Sequence, residues 1–141
     1  HGTGGKLNVH KDYSVHPKIP YQRKINIIIY LSKNWNSSWG GGLQMWSHNV
    51  EKDRPAEKIK YVDIKFNRAV FFDTTQNSWH GLPEPLACPE GVYRKSLALY
   101  YVTPIVGDID SRYRALFAPT KEQENDPEII SFIKQRTTVQ R

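Results

Sequence analysis

The chain has 141 residues, 38% hydrophobic and 24% charged, the size and balance of a single globular domain with a real core. Its 20 Lys and Arg against 14 Asp and Glu give +6, but the cations are spread along the chain among acids, which reads as a solvated surface rather than a face for nucleic acid. No apolar run approaches a membrane span, and the single cysteine, Cys88, excludes an intrachain disulfide framework and a thiolate metal site.

In chain order the segments read as strands. Lys6 to His10 follows the Gly4-Gly5 turn, and Ile25 to Leu31 is a nearly continuous β-branched run of the kind buried on both faces. Leu43 to Ser47 alternates after Gly40-Gly41-Gly42, Ile59 to Ile64 alternates apolar with polar residues, and Arg68 to Phe72 and Arg94 to Val102 supply two more. Pro, Gly, Asn and Ser separate them, so the expected class is mainly β, a sandwich or jelly roll. After Pro104 the character changes. Asp126-Pro127-Glu128 offers an N-cap, a first-turn proline and a first-turn acid before Ile129, Ile130, Phe132 and Ile133, which predicts a short C-terminal helix. The expected division is a catalytic core over residues 1–103 and a C-terminal extension over 104–141 packed on the same domain. Cys88 fits a reducing, cytoplasmic setting. The chain begins at His1 without an initiator methionine, so the lack of a leader carries no information.

Four residues carry the chemistry. His10 and Asp12, two apart on a strand, can point the same way and offer adjacent corners of a metal site. His80 in Asn77-Ser78-Trp79-His80-Gly81 can arrive from far along the chain as a third ligand. Two imidazoles and one carboxylate on one face of an octahedral ion, with the opposite face open, is the arrangement of non-haem Fe(II) oxygenases. Arg94 precedes the apolar run Ser96 to Val102, where its planar fork can anchor a dicarboxylate, and iron plus a dicarboxylate suggests 2-oxoglutarate. His16 and His48 sit in loop-like or strand-end contexts and are not assigned as ligands. Trp46 and Trp79 read as packing residues.

The segments Gly5 to Asp12, Ile28 to Trp35, Gly41-Gly42-Leu43, Phe66 to Phe72, His80-Gly81 and Arg94 to Leu97 together resemble the Fe(II)- and 2-oxoglutarate-dependent oxygenases, specifically the prolyl-hydroxylase-like branch in its microbial and viral form. The resemblance runs from about Gly4 to Val102. It implies a double-stranded β-helix, a cupin-like jelly roll, with iron on His10, Asp12 and His80. It implies 2-oxoglutarate held by Arg94, with Ser96 and Tyr30 donating hydroxyls to the same carboxylate. Asn26 shares the strand face of Tyr30 and reads as structural. O2 would be the second co-substrate and ascorbate an optional reductant. The implied reaction hydroxylates an unactivated C–H bond of a peptide or small molecule, as 2-oxoglutarate becomes succinate and CO2. Mn, Co, Ni or Zn can replace iron on such ligands.

Three departures from the family pattern bear on these expectations. A complete double-stranded β-helix has eight strands and the His-x-Asp follows the second, so upstream supporting elements, including a cover for Ile25, Ile27 and Ile29, are expected to be missing. The proline-rich stretch from Gly81 to Tyr93 is longer than in animal prolyl hydroxylases and reads as a rigid loop at the site mouth. Ser32 stands where the family has Asn. Two alternatives remain. A nucleic-acid demethylase of the same superfamily would carry a second arginine six residues after Arg94, where this chain has Tyr100. A cupin-like binding module would keep the ligands without turnover.

Overall fold

The computed structural model describes residues 1–74, 77–109 and 112–138. Among them are eight strands: β1 (Leu7–Lys11), β2 (Tyr21–Tyr30), β3 (Leu43–Asn49), β4 (Arg54–Val62), β5 (Ala69–Asp73), β6 (Trp79–Leu82), β7 (Ser96–Pro104) and β8 (Leu116–Phe117). One helix follows, α1 (Pro127–Thr138). The strands form two sheets, ordered β4-β3-β6-β1-β8 and β5-β2-β7, with every pairing antiparallel. This is the jelly-roll architecture expected from the sequence. No helix among the described residues is long and apolar enough to cross a membrane.

Pairing extends several strands beyond their apolar stretches. The polar residues Tyr21 to Lys24 join β2 because β7 is long enough to pair with them, from Tyr21↔Pro104 to Tyr30↔Ser96 with an irregularity between Arg23 and Ile25. Strand β4 begins at Arg54 rather than near Ile59, since the hairpin with β3 closes at Asn49↔Arg54. It is an edge strand, where Pro55 costs no ladder bond that the sheet requires.

Strand β2 was expected to be buried on both faces, and it is so only in part. Asn26, Ile28 and Tyr30 face the interior; on the opposite face Ile27 is buried and Ile29 half-buried, whereas Ile25 and the cross-strand partners Phe71 and Tyr101 are exposed, Phe71 65% and Tyr101 62%. Arg94 also falls outside its expected strand. Its backbone N–H and C=O pair with His1 (2.8 and 3.2 Å) instead of β2, so β7 starts at Ser96.

Strands β6 and β8 carried no sequence signal. β6 lies between β1 and β3, where a Cβ at Gly81 would stand 2.9 Å from the Leu7 carbonyl oxygen, so only glycine fits there. β8 comes from the 104–141 extension and pairs with β1. Behind this sheet Val9, Trp79 and Ala118 form a buried cluster with Trp46 and Leu116 packed on it. Helix α1 starts where expected, with the Asp126 carboxylate accepting from the N–H groups of Glu128 and Ile129 (3.0 and 3.2 Å).

Candidate metal and anion site

Strands β1 and β6 bring the two histidines together. His10 and His80 are direct register partners, and Asp12 lies just past the end of β1. One ligand atom from each of His10, Asp12 and His80 lies within 4.8 Å of the others. The Nε2 atoms of His10 and His80 are 3.8 and 3.6 Å from the two oxygens of Asp12. Among the described residues this is the one such group of potential ligands, and neither His16 nor His48 belongs to it. His48 instead accepts from the Trp79 indole N–H (3.0 Å), and His16 accepts from the Lys18 N–H (3.2 Å).

The tautomers suit metal binding. His10 Nδ1 donates to the Asn8 carbonyl (2.9 Å) and His80 Nδ1 to the Ser78 carbonyl (2.8 Å). A carbonyl only accepts, so each ring carries its proton on Nδ1 and turns the Nε2 lone pair toward Asp12. Burial, and then the neighbouring His10, pulls His80 down to about 4, so this ring is neutral at pH 7.

The carboxylate is held from the opposite sheet by two residues of β2. Arg23 Nη1 pairs with Asp12 Oδ1 (2.9 Å), and Asn26 Nδ2 donates to Oδ2 (3.1 Å). Arg23 itself is buried, and its guanidinium is clamped between the rings of Tyr13 (4.1 Å) and Tyr100 (4.0 Å). Burial, and then the Tyr100 hydroxyl, pushes Tyr13 up to about 12, so it stays a neutral phenol. Arg23 was not singled out in the sequence. Its distance from Asp12 along the chain gives no local signal, and it precedes the apolar run that begins at Ile25.

One cavity of about 310 Å³ is lined by His10, Asp12 and His80, by Arg94 and Ser96, and by the apolar side chains of Ile28, Leu43 and Leu82. Arg94 is buried, and burial lowers its pKa, but an arginine starts so high that it remains a cation. Its Nε donates to the Gly41 carbonyl (2.8 Å) and its Nη1 to Ser96 Oγ (3.1 Å). Among the described residues no carboxylate pairs with it. A buried cation that lacks an anion is the electrostatic complement of an anionic ligand. Gly41 adopts φ +81°, and a Cβ there would meet Arg94 Cδ at 3.2 Å, so this glycine both makes the turn and gives the arginine room.

The three residues expected to hold the dicarboxylate are placed differently. Arg94 and Ser96 line the cavity. Tyr30 is fully buried with its ring 5.3 Å from the Arg94 guanidinium carbon, and its hydroxyl accepts from the Leu43 N–H (3.1 Å) and donates to the Val62 carbonyl (3.4 Å).

The donor set fits a divalent first-row metal: two imidazoles whose Nε2 atoms face Asp12, one oriented carboxylate, and a buried cation in the same cavity for an anionic co-ligand. Residues 1–102 match the family model described as the 2OG-Fe(II) oxygenase superfamily, and that span contains every one of these side chains. With most of its length inside the match and the ligand geometry that such chemistry needs, the chain belongs to the 2OG-Fe(II) oxygenase superfamily.

Proposed function

We propose that the protein is an Fe(II)- and 2-oxoglutarate-dependent dioxygenase of the prolyl-hydroxylase-like kind, hydroxylating a C–H bond of a peptide or small molecule. The observation that carries this reading is one cavity holding both the His10, Asp12 and His80 group and the unpaired Arg94 cation. In this reading His10, Asp12 and His80 hold Fe(II), while Arg94 and Ser96 hold the distal carboxylate of 2-oxoglutarate. The metal with O2 and 2-oxoglutarate supplies the oxidising chemistry, and the co-substrate leaves as succinate and CO2. The protein's own part is to orient the imidazoles through the Asn8 and Ser78 carbonyls, fix the carboxylate through Arg23 and Asn26, and line the cavity with Ile28, Leu43 and Leu82. Tyr30 supports Arg94 through its ring and through a side-chain hydrogen bond, besides the backbone partners of its hydroxyl. Ascorbate would serve as an external reductant, and the buried thiol of Cys88 is consistent with a cytoplasmic location.

Two observations favour a peptide or small molecule over nucleic acid. A second cavity, of about 660 Å³, is lined by Ser14 and Ser78, each two residues from a member of the triad, and by Met45 and Trp46. Its charged lining is Lys24, paired with Asp73 at 3.0 Å, and Asp108, which leaves no positive excess for a phosphate backbone. Tyr100, at the position where a second arginine was sought, is instead committed to stacking on Arg23.

The test is aerobic incubation of the protein with Fe(II), labelled 2-oxoglutarate and separate pools of peptides, metabolites and oligonucleotides. Succinate release together with a one-oxygen mass gain in a peptide or metabolite is expected. Release driven only by methylated oligonucleotides would favour the demethylase. Binding of 2-oxoglutarate with no turnover on any pool would favour the binding module.

A further inference from the structure

Residues 112–118 lie outside the 1–102 family match, yet they pack along the strand that carries His10 and leads into Asp12. Arg112 Nη2 donates to the Asp12 carbonyl (3.2 Å), and the Arg112 carbonyl accepts from the N–H groups of Ser14 (2.8 Å) and Val15 (3.2 Å). This fixes the backbone from the Asp12 carbonyl to Val15. Four residues on, β8 pairs with β1 at Lys11↔Leu116 and His10↔Phe117, and the Ala118 N–H donates to the Val9 carbonyl (2.8 Å). Strand β1 is therefore flanked by β6 and β8 rather than left as a sheet edge. Phe117 also lays its ring on the imidazole of His10, with centroids 5.0 Å apart and planes inclined by 26°. The guanidinium carbon of Arg136 in α1 also lies 5.3 Å from the Phe117 ring.

We infer that the 112–118 segment is a clasp that completes the metal centre, with Phe117 the positioning residue for His10 and Arg112 the positioning residue for Asp12. The inference rests on the metal reading above. The Asn8 carbonyl alone fixes one atom of the His10 ring and leaves its tilt free; a flat ring against one face removes that freedom. Groups that orient a ligand in this way typically change metal affinity about 10- to 100-fold when lost. Leu116, the residue before Phe117, packs on the Val9, Trp79 and Ala118 cluster on the opposite face, so it contributes to folding without touching a ligand.

The experiment is titration of Mn(II) into the protein, followed by electron paramagnetic resonance, with the Co(II) visible spectrum as a reporter of ligand geometry. The variants are Phe117→Leu, which keeps apolar volume but not the flat face, Phe117→Tyr, which keeps the face, and Leu116→Ala as the packing control. Phe117→Leu should weaken Mn(II) about 10-fold and alter the Co(II) spectrum. Phe117→Tyr should restore both, and Leu116→Ala should lower thermal stability while binding Mn(II) as the parent does. Parent-like Mn(II) affinity in Phe117→Leu, or an equal loss in Leu116→Ala, overturns the clasp while leaving the triad intact. A parent that binds no Mn(II) overturns the metal reading itself, and the clasp with it.

Discussion

His10 and His80 face each other across the β1–β6 pair with ring centroids 4.4 Å apart, and each donates from Nδ1 to the carbonyl two residues before it. The same local device at two distant points in the sequence aims two Nε2 lone pairs at one carboxylate. Replacing either histidine with alanine should therefore remove metal binding rather than tune it. Mn(II) at 100 times its dissociation constant should stabilise the parent by about 2.7 kcal/mol, the mass-action value for a ligand of the folded state alone. Thermal melts with and without Mn(II) provide the check, and His10→Ala and His80→Ala should show no metal-dependent shift.

The Arg23–Asp12 pair is buried on both sides, with side-chain exposures of 8% and 14%. Removing one partner leaves the other charge without compensation in a poorly solvated place, which costs about 3–5 kcal/mol. Arg23→Ala should show a loss on that scale in metal-free protein. The loss should be smaller with Mn(II) bound, because the metal then compensates Asp12. Urea denaturation of the parent and Arg23→Ala with and without Mn(II) measures the difference, and an equal loss in the two states would mean that Arg23 does not act through Asp12.

Tyr30 separates two roles that its position near Arg94 allows. Its hydroxyl satisfies the buried Leu43 N–H, and leaving such a group unpaired costs about 1–3 kcal/mol. Tyr30→Phe should lower stability on that scale and affect 2-oxoglutarate affinity less than Arg94→Ala does. Calorimetric binding together with a thermal melt decides it. A large loss of 2-oxoglutarate affinity at unchanged stability would return Tyr30 to the direct donor role expected from the sequence.

What the sequence disclosed follows from locality. His10 and Asp12 are two apart on a strand, so their shared direction is a matter of period, and the Asp126-Pro127-Glu128 start of α1 is likewise local. Strand β6 has four residues, including a glycine, and β8 has two, too few for alternation to show. Arg112 reaches Asp12 across 100 residues, and neither residue carries a sign of the other. Arg94 read as the first residue of its strand because the apolar run begins beside it. Pairing with His1 holds it outside the ladder, where its guanidinium can lie along Gly41 and Ser96. Three isoleucines at alternate positions, Ile25, Ile27 and Ile29, read as one surface needing cover, but Ile27 is buried while Ile25 is exposed, a difference set by packing rather than by period.

The most direct test of the account is anaerobic titration of 2-oxoglutarate into Fe(II)-loaded protein, following the metal-to-ligand charge-transfer absorption of the chelate. The parent should give a saturable band. Asp12→Ala should give none. Arg94→Ala should keep Mn(II) affinity close to the parent's but bind 2-oxoglutarate about 2–5 kcal/mol more weakly, the scale for removing one partner of a desolvated charge pair. Arg94→Lys should recover only part of the loss, since it keeps the charge without the fork. Absence of the band in the parent, or an Arg94→Ala titration that overlays the parent's, would contradict the assignment of this cavity to iron and 2-oxoglutarate.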